Sequence, residues 1–245
     1  MERLWIPMIV TLFSFGGLLL GGVVGLATKQ LIEEKMYRLY ALCGGILLGL
    51  LLLEIIPETF SSFEVIGPIL GISLGALLMM LMDNYCHHPV IHKKDQQAWQ
   101  TFLFLSFAIF IHNMPSGFAL GAAFASHNES AIPFLLAIII HHIPEGLALM
   151  IPFLFTQHKS ISFILTILLL SVILGVGTVF GIMMNGKAVH LQGLIMGSAI
   201  GSLGYVTIHE MLLKAKKRLS ILPFLSWTLF GFLLITIFTL FAGQH

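Results

Sequence analysis

Charge is what this sequence has least of. Only 9% of its 245 residues are Asp, Glu, Lys or Arg, where a soluble domain carries about 25%. A soluble fold of this length could not cover its surface with so few. The 12 basic and 11 acidic residues nearly cancel, so there is no basic field of the kind a nucleic-acid partner needs. Cysteine is scarce too. Cys43 and Cys86 lie in different segments. They form neither a disulfide framework nor a CxxC metal motif, although a single bridge between them stays open. The HExxH signature of zinc hydrolases is missing, since His209-Glu210 is followed by Met211-Leu212-Leu213.

What is present is hydrophobic sequence, 58% of the chain, arranged in long runs. The first run, Leu4 to Ala27, exceeds a signal-peptide core and is long enough to span a bilayer. Seven more follow. The runs predict spans at about 4–27, 39–60, 65–83, 101–125, 131–155, 160–184, 189–212 and 221–243, each near the roughly 20 residues that a helix needs to cross hydrocarbon. Barrel strands would alternate polar and apolar residues, so helix is the expected form. The expected fold is therefore all-α: one polytopic membrane domain of eight transmembrane helices over residues 1–245.

Orientation follows from the basic residues. With the N-terminus outside, the inner loops hold Lys29, Lys35, Arg38, Lys93, Lys94, Lys159, Lys214, Lys216, Lys217 and Arg218, ten of the twelve. Only Arg3 and Lys187 fall outside. The positive-inside bias then places both termini outside, given an even number of spans.

The informative residues are the polar ones inside these runs. The fourth span carries His112-Asn113-Met114-Pro115-Ser116-Gly117-Phe118-Ala119-Leu120. The fifth carries His141-His142-Ile143-Pro144-Glu145-Gly146-Leu147-Ala148-Leu149. The two strings share His, Pro, Gly, Ala and Leu at matched positions near the middle of their spans. His112 with Ser116, and His141 with Glu145, are i,i+4 pairs on one helix face; Asn113 and His142 sit one position round. Pro115 and Pro144 each remove a backbone hydrogen bond and predict a bend at the ligands. A single intramembrane His is often a helix–helix hydrogen bonder. A carboxylate at the bilayer centre is different: it costs at least about 2.5–3.5 kcal/mol. Glu145 beside three imidazoles is most simply explained by a cation. Imidazole and carboxylate suit zinc, iron(II), manganese, cobalt or nickel.

These motifs resemble the ZIP family of zinc- and iron-transporting membrane proteins. The resemblance rests on His-Asn-x-Pro-x-Gly in the fourth span and His-x-x-Pro-Glu-Gly in the fifth, and its eight-span layout covers essentially the whole chain. It implies transport of divalent metal into the cytoplasm across the cell membrane, with both termini outside. It also implies a two-metal centre, one ion held by His112, His141 and Glu145 and a second by Asn113, His142 and Glu145. Two positions depart from the family pattern. Ser116 stands where the family commonly has Glu, and Leu174 aligns near another frequent Glu. Both losses remove negative charge, so a single tightly bound ion is expected.

The resemblance extends to transport-path positions. Glu54 and Glu58 are expected at the outer mouth, and His209 and Glu210 at the inner one. Asp83 closes the third span and reads as an interfacial residue. The loop with Cys86, His87, His88 and His92 looks like a shortened form of the family's His-rich loop. Metal is the cargo here, zinc first, and no resident cofactor is expected. The other expected partner is the lipid bilayer. Small-residue runs such as Gly16-Gly17 and Gly21-Gly22 allow close packing, either within the chain or with a second copy in a homodimer. Two other classes compete. One is an intramembrane metal-dependent hydrolase, which needs a water-activating base beside its ligands. The other is a metal-sensing relative that does not transport, a reading that Ser116 and Leu174 keep open.

Overall fold

Eight helical rods and no strand make up the described residues of the computed structural model, which are 5–27, 29, 33–86, 94–125, 131–184 and 189–242. They are α1 (Trp5–Ala27), α2 (33–62), α3 (Ile66–Cys86), α4 (Lys94–Ala125), α5 (Ala131–Phe153), α6 (Ser160–Met184), α7 (189–218) and α8 (Ile221–Ala242). Each of the eight expected spans falls on one rod. By length and composition, six rods carry a described stretch able to cross a membrane; α5 and α8 offer shorter apolar stretches, Ile138–Phe153 and Ile221–Ile237.

Three rods begin or end more than a turn beyond the expected bounds. α2 starts at Glu33, α4 starts at Lys94, and α7 runs on to Arg218. Hydropathy marks only the part of a helix that sits in hydrocarbon. A charged turn continues the helix into the interface at little cost, and Asp95 in the first turn of α4 suits the positive end of the helix dipole.

Pro115 and Pro144 do not end their helices: α4 and α5 run as α-helix straight through them. Elsewhere, α2 contains a π-turn at Leu51–Ile55, and α7 one at Val206–Leu212. Pro57 supplies part of the reason in α2, because its missing N–H leaves the Leu53 carbonyl without its i+4 donor. The two π-turns contain Glu54 and His209-Glu210. Local widening of this kind often accompanies functional residues.

The rods fall into two sets. α1 packs on α5 and α6, and α4 packs chiefly on α6. Separately, α3 packs on α7, and α2 on α8. Contacts of α4 with α7, and of α2 with α5, join the two sets. Glycine makes the close pairs. A Cβ on Gly117 of α4 would lie 2.0 Å from the Leu174 carbonyl, and one on Gly177 of α6 would lie 2.3 Å from the Met114 carbonyl. On the other pair, Gly21 meets Ile143 and Gly146 meets Leu18 in the same way, at 2.0 and 2.1 Å. Close backbone approach through small residues is how helices associate without a hydrophobic driving force. The Gly17 and Gly21 positions are thus occupied by α5 of the same chain, and Gly22 by Phe163.

A shared core lies between the sets, with Leu47, Phe102, Leu105, Leu149, Phe163 and Leu203 all buried. The outer faces are apolar as well: Leu74 and Leu81 on α3, and Leu229 and Leu233 on α8, are all more than half exposed. Such surfaces fit lipid, not water. Cys43 is a buried free thiol, so no bridge to Cys86 ties the chain.

Candidate metal centre

The polar residues of α4 and α5 are the most deeply buried polar groups of their helices. His112, Asn113, Ser116, His141, His142 and Glu145 are each at most 5% exposed. Helical spacing puts His112 above Ser116, and His141 above Glu145. The Gly117 contact with α6 and the Gly146 contact with α1 hold the two helices from behind.

Glu145 is the hub. Its Oε1 lies 4.0 Å from His112 Nε2 and 3.9 Å from His141 Nε2, while its Oε2 lies 3.9 Å from His142 Nε2. One ligand atom each from His112, His141 and Glu145 falls within 4.8 Å of the others. The His112 and His141 rings meet edge to face at 5.6 Å, and the His141 and His142 rings stack at 4.7 Å. Donors that each lie about 2.0–2.1 Å from a tetrahedral ion are about 3.4 Å apart. The two separations from Glu145 Oε1 need a contraction of about half an ångström to reach that geometry, and all three donors lie within 4.8 Å of one another.

Neighbouring hydrogen bonds set the donors. The His142 Nδ1 hydrogen bonds to the Ile138 carbonyl at 2.5 Å. That places the proton on Nδ1 and leaves Nε2 with the lone pair a metal requires. Asn113 Nδ2 donates to the Leu170 carbonyl of α6 at 3.0 Å. Ser116 Oγ donates to the His112 carbonyl at 3.0 Å and also lies 3.3 Å from His112 Nε2. Asn113 Oδ1, His142 Nε2 and both Glu145 oxygens are buried with no hydrogen-bond partner among the described residues. Buried polar atoms are ordinarily paired. So many unpaired acceptor atoms in one place suit a cation.

Leu174, aligned where the family often has Glu, is fully buried with Ile6, Val10, Leu120 and Ile138. Its carbonyl accepts from Thr178 and touches Gly117, so the position is used for helix packing.

The four expected path residues lie outside the central group. Glu54 is half-buried in the α2 π-turn, and its Oε2 has no hydrogen-bond partner among the described residues. Glu58 is exposed and accepts a hydrogen bond from Ser62 at 3.1 Å. His209 is half exposed, stacks on Tyr205, and lies 3.6 Å from Asp83. Glu210 is buried and paired with Lys214. Asp83 also accepts from the Tyr205 hydroxyl at 2.7 Å. The sequence reading of Asp83 as merely interfacial missed this cluster, because nothing in the local pattern shows that α3 packs on α7. His87, His88 and His92 lie outside the described residues.

The sequence profile of the ZIP zinc transporter family matches residues 83–239. That is more than half of the chain, and it includes both His-containing strings and the His209-Glu210 turn. No curated protein matches the chain. The family's members are transporters, so membership implies transport of a divalent metal ion. With several apolar helices of membrane-crossing length and a profile match over most of its sequence, this chain belongs to the ZIP zinc transporter family.

Proposed function

We propose that the chain moves a divalent metal ion, zinc first, across the cell membrane into the cytoplasm, through the His/Glu group between α4 and α5. The observation that carries this reading is Glu145: a fully buried carboxylate with each oxygen about 4 Å from an imidazole nitrogen. An isolated buried carboxylate is costly, and a dication held by neutral imidazoles offsets that cost. Three borderline donors favour zinc, and iron(II), manganese, cobalt and nickel share the same ligand chemistry.

In this reading His112, His141 and Glu145 hold one ion and Ser116 adds a neutral oxygen. His142 lies beside Glu145 Oε2 and, with Asn113, serves as a transfer position. In this reading all eight rods cross the bilayer with both termini outside, an orientation that the distribution of Lys and Arg favours. Glu54 and Glu58 then lie toward the outer mouth. Asp83 and His209 lie toward the inner one, where a carboxylate and a solvent-accessible imidazole can receive an ion that leaves the centre. Glu210 is less suited to that step, since Lys214 neutralises it.

The test is uptake of zinc, iron(II) and manganese into sealed vesicles that contain the purified chain, with peptide and ester hydrolysis measured in parallel. Metal accumulation above empty vesicles, without hydrolysis, is expected. Hydrolysis without accumulation would replace transport by catalysis. Tight binding with neither would make the chain a sensor.

A further inference from the structure

A cleft of about 300 Å³ opens where the C-terminal ends of α1 and α5 meet the start of α6. None of the six central residues lines it. Its size is at the lower end for ligand sites, which run to roughly 300–1,000 Å³. The walls are apolar: Leu19, Val23 and Leu26 from α1, Phe163 and Ile164 from α6. Val23 and Leu26 are more than half exposed, so the groove opens on the lipid-facing side. Gly22 forms part of the floor. A side chain there would meet Phe163 Cε1 at 2.7 Å, so the missing Cβ keeps the groove deep.

The polar residues gather at one end. Lys29, Thr156, His158 and Ser160 line the mouth, and no Asp or Glu is among the lining residues. The turn that carries the last three is held in place. Asp95 accepts from the Gln157 backbone N–H at 2.7 Å, and Trp99 stacks on the His158 ring at 3.7 Å. Trp is typical of the depth at which headgroups begin. An apolar groove with a basic, hydroxyl-bearing mouth at that depth has the form of a lipid site, because chain and headgroup are recognised at opposite ends.

We propose that this cleft binds one anionic glycerophospholipid, with an acyl chain along Val23 and Ile164 and the phosphate at Lys29 and His158. Charge complementarity selects the occupant. A cation at a mouth with no Asp or Glu among its lining residues favours a headgroup of net negative charge over a zwitterionic one. In the orientation proposed above, the cleft lies in the cytoplasmic leaflet, where anionic lipids concentrate and basic pockets between helices hold their headgroups.

The test is native mass spectrometry of the purified chain in neutral detergent with equimolar phosphatidylglycerol and phosphatidylcholine. It needs neither metal transport nor a known orientation, so its outcome is separate from that of the transport reading. The expected result is one retained phosphatidylglycerol, preferred at least about tenfold over phosphatidylcholine. In Lys29→Gln, an exposed position whose change leaves the fold alone, the preference falls to near unity. In Ile164→Trp, which fills the groove and leaves Lys29 in place, the retained lipid is lost. Equal retention of both lipids by the parent, or an unchanged preference in Lys29→Gln, would overturn the proposal. So would displacement of the lipid by millimolar inorganic phosphate, which would make this a soluble-anion site.

Discussion

The Ser116 hydroxyl lies 3.3 Å from His112 Nε2 and gives its own hydrogen to the His112 carbonyl. The oxygen beside the imidazole is therefore neutral, at a position where the family commonly places a carboxylate. A unit charge added about 4 Å from a dication is worth several kcal/mol at an effective dielectric of about 20, before desolvation. Ser116→Glu is expected to tighten the first ion on the order of tenfold and to let a second ion bind beside it. Metal content per protein, by elemental analysis, is expected near one for the parent and above one for the variant. Two tightly held central ions in the parent would show that neutral donors suffice.

Glu145→Ala and His141→Ala are expected to abolish uptake while the protein still inserts and elutes as a folded species. Each removes a donor from the group around Glu145 Oε1. The check is vesicle uptake of zinc, iron(II) and manganese at matched protein levels. Uptake close to the parent's in both variants would move the site elsewhere.

Two glycines of α1, five residues apart, should behave oppositely. A Cβ on Gly16 meets nothing within 4 Å, while one on Gly21 would sit 2.0 Å from the Ile143 carbonyl. Gly16→Ala is expected to be neutral or to stabilise by up to about 0.5–1 kcal/mol, as helical Gly→Ala changes do. Gly21→Ala must push α1 away from α5, and overpacking of this kind costs about 1–3 kcal/mol. Thermal unfolding in detergent decides it. Equal shifts for the two variants would argue against the α1–α5 contact.

Orientation can be read by cysteine labelling in a background with Cys43→Ser and Cys86→Ser. Lys217→Cys is expected to react with an impermeant reagent only after the membrane is opened, and Gln244→Cys in intact cells. The reverse pattern would invert the proposed path, and with it the assignment of Glu54 and Asp83 to outer and inner mouths.

Much of the site is legible in the amino-acid sequence by itself. The i,i+4 spacing that unites His112 with Ser116 and His141 with Glu145 is a property of the helix alone. The cost of Glu145 in hydrocarbon is a property of the residue alone. The apolar runs likewise mark all eight rods, because the length needed to cross a bilayer is a local quantity. Helix ends are legible only to within a few turns, since Glu33 and Lys94 extend helices into a region where hydropathy carries no signal.

Pairing is decided by tertiary structure. Short loops suggest that α4 and α5 are neighbours, and they do touch, but the closest partner of α4 is α6, and that of α5 is α1. The reason is that a glycine's value lies in the backbone it meets: Gly117 is informative only once the Leu174 carbonyl stands 2.0 Å from its missing Cβ. The same holds for chemistry. Residues already adjacent on one helix can be read from their spacing. Asp83 with His209, Asn113 with Leu170, and His112 with Glu145 depend on helix rotation and register, which non-local packing alone determines.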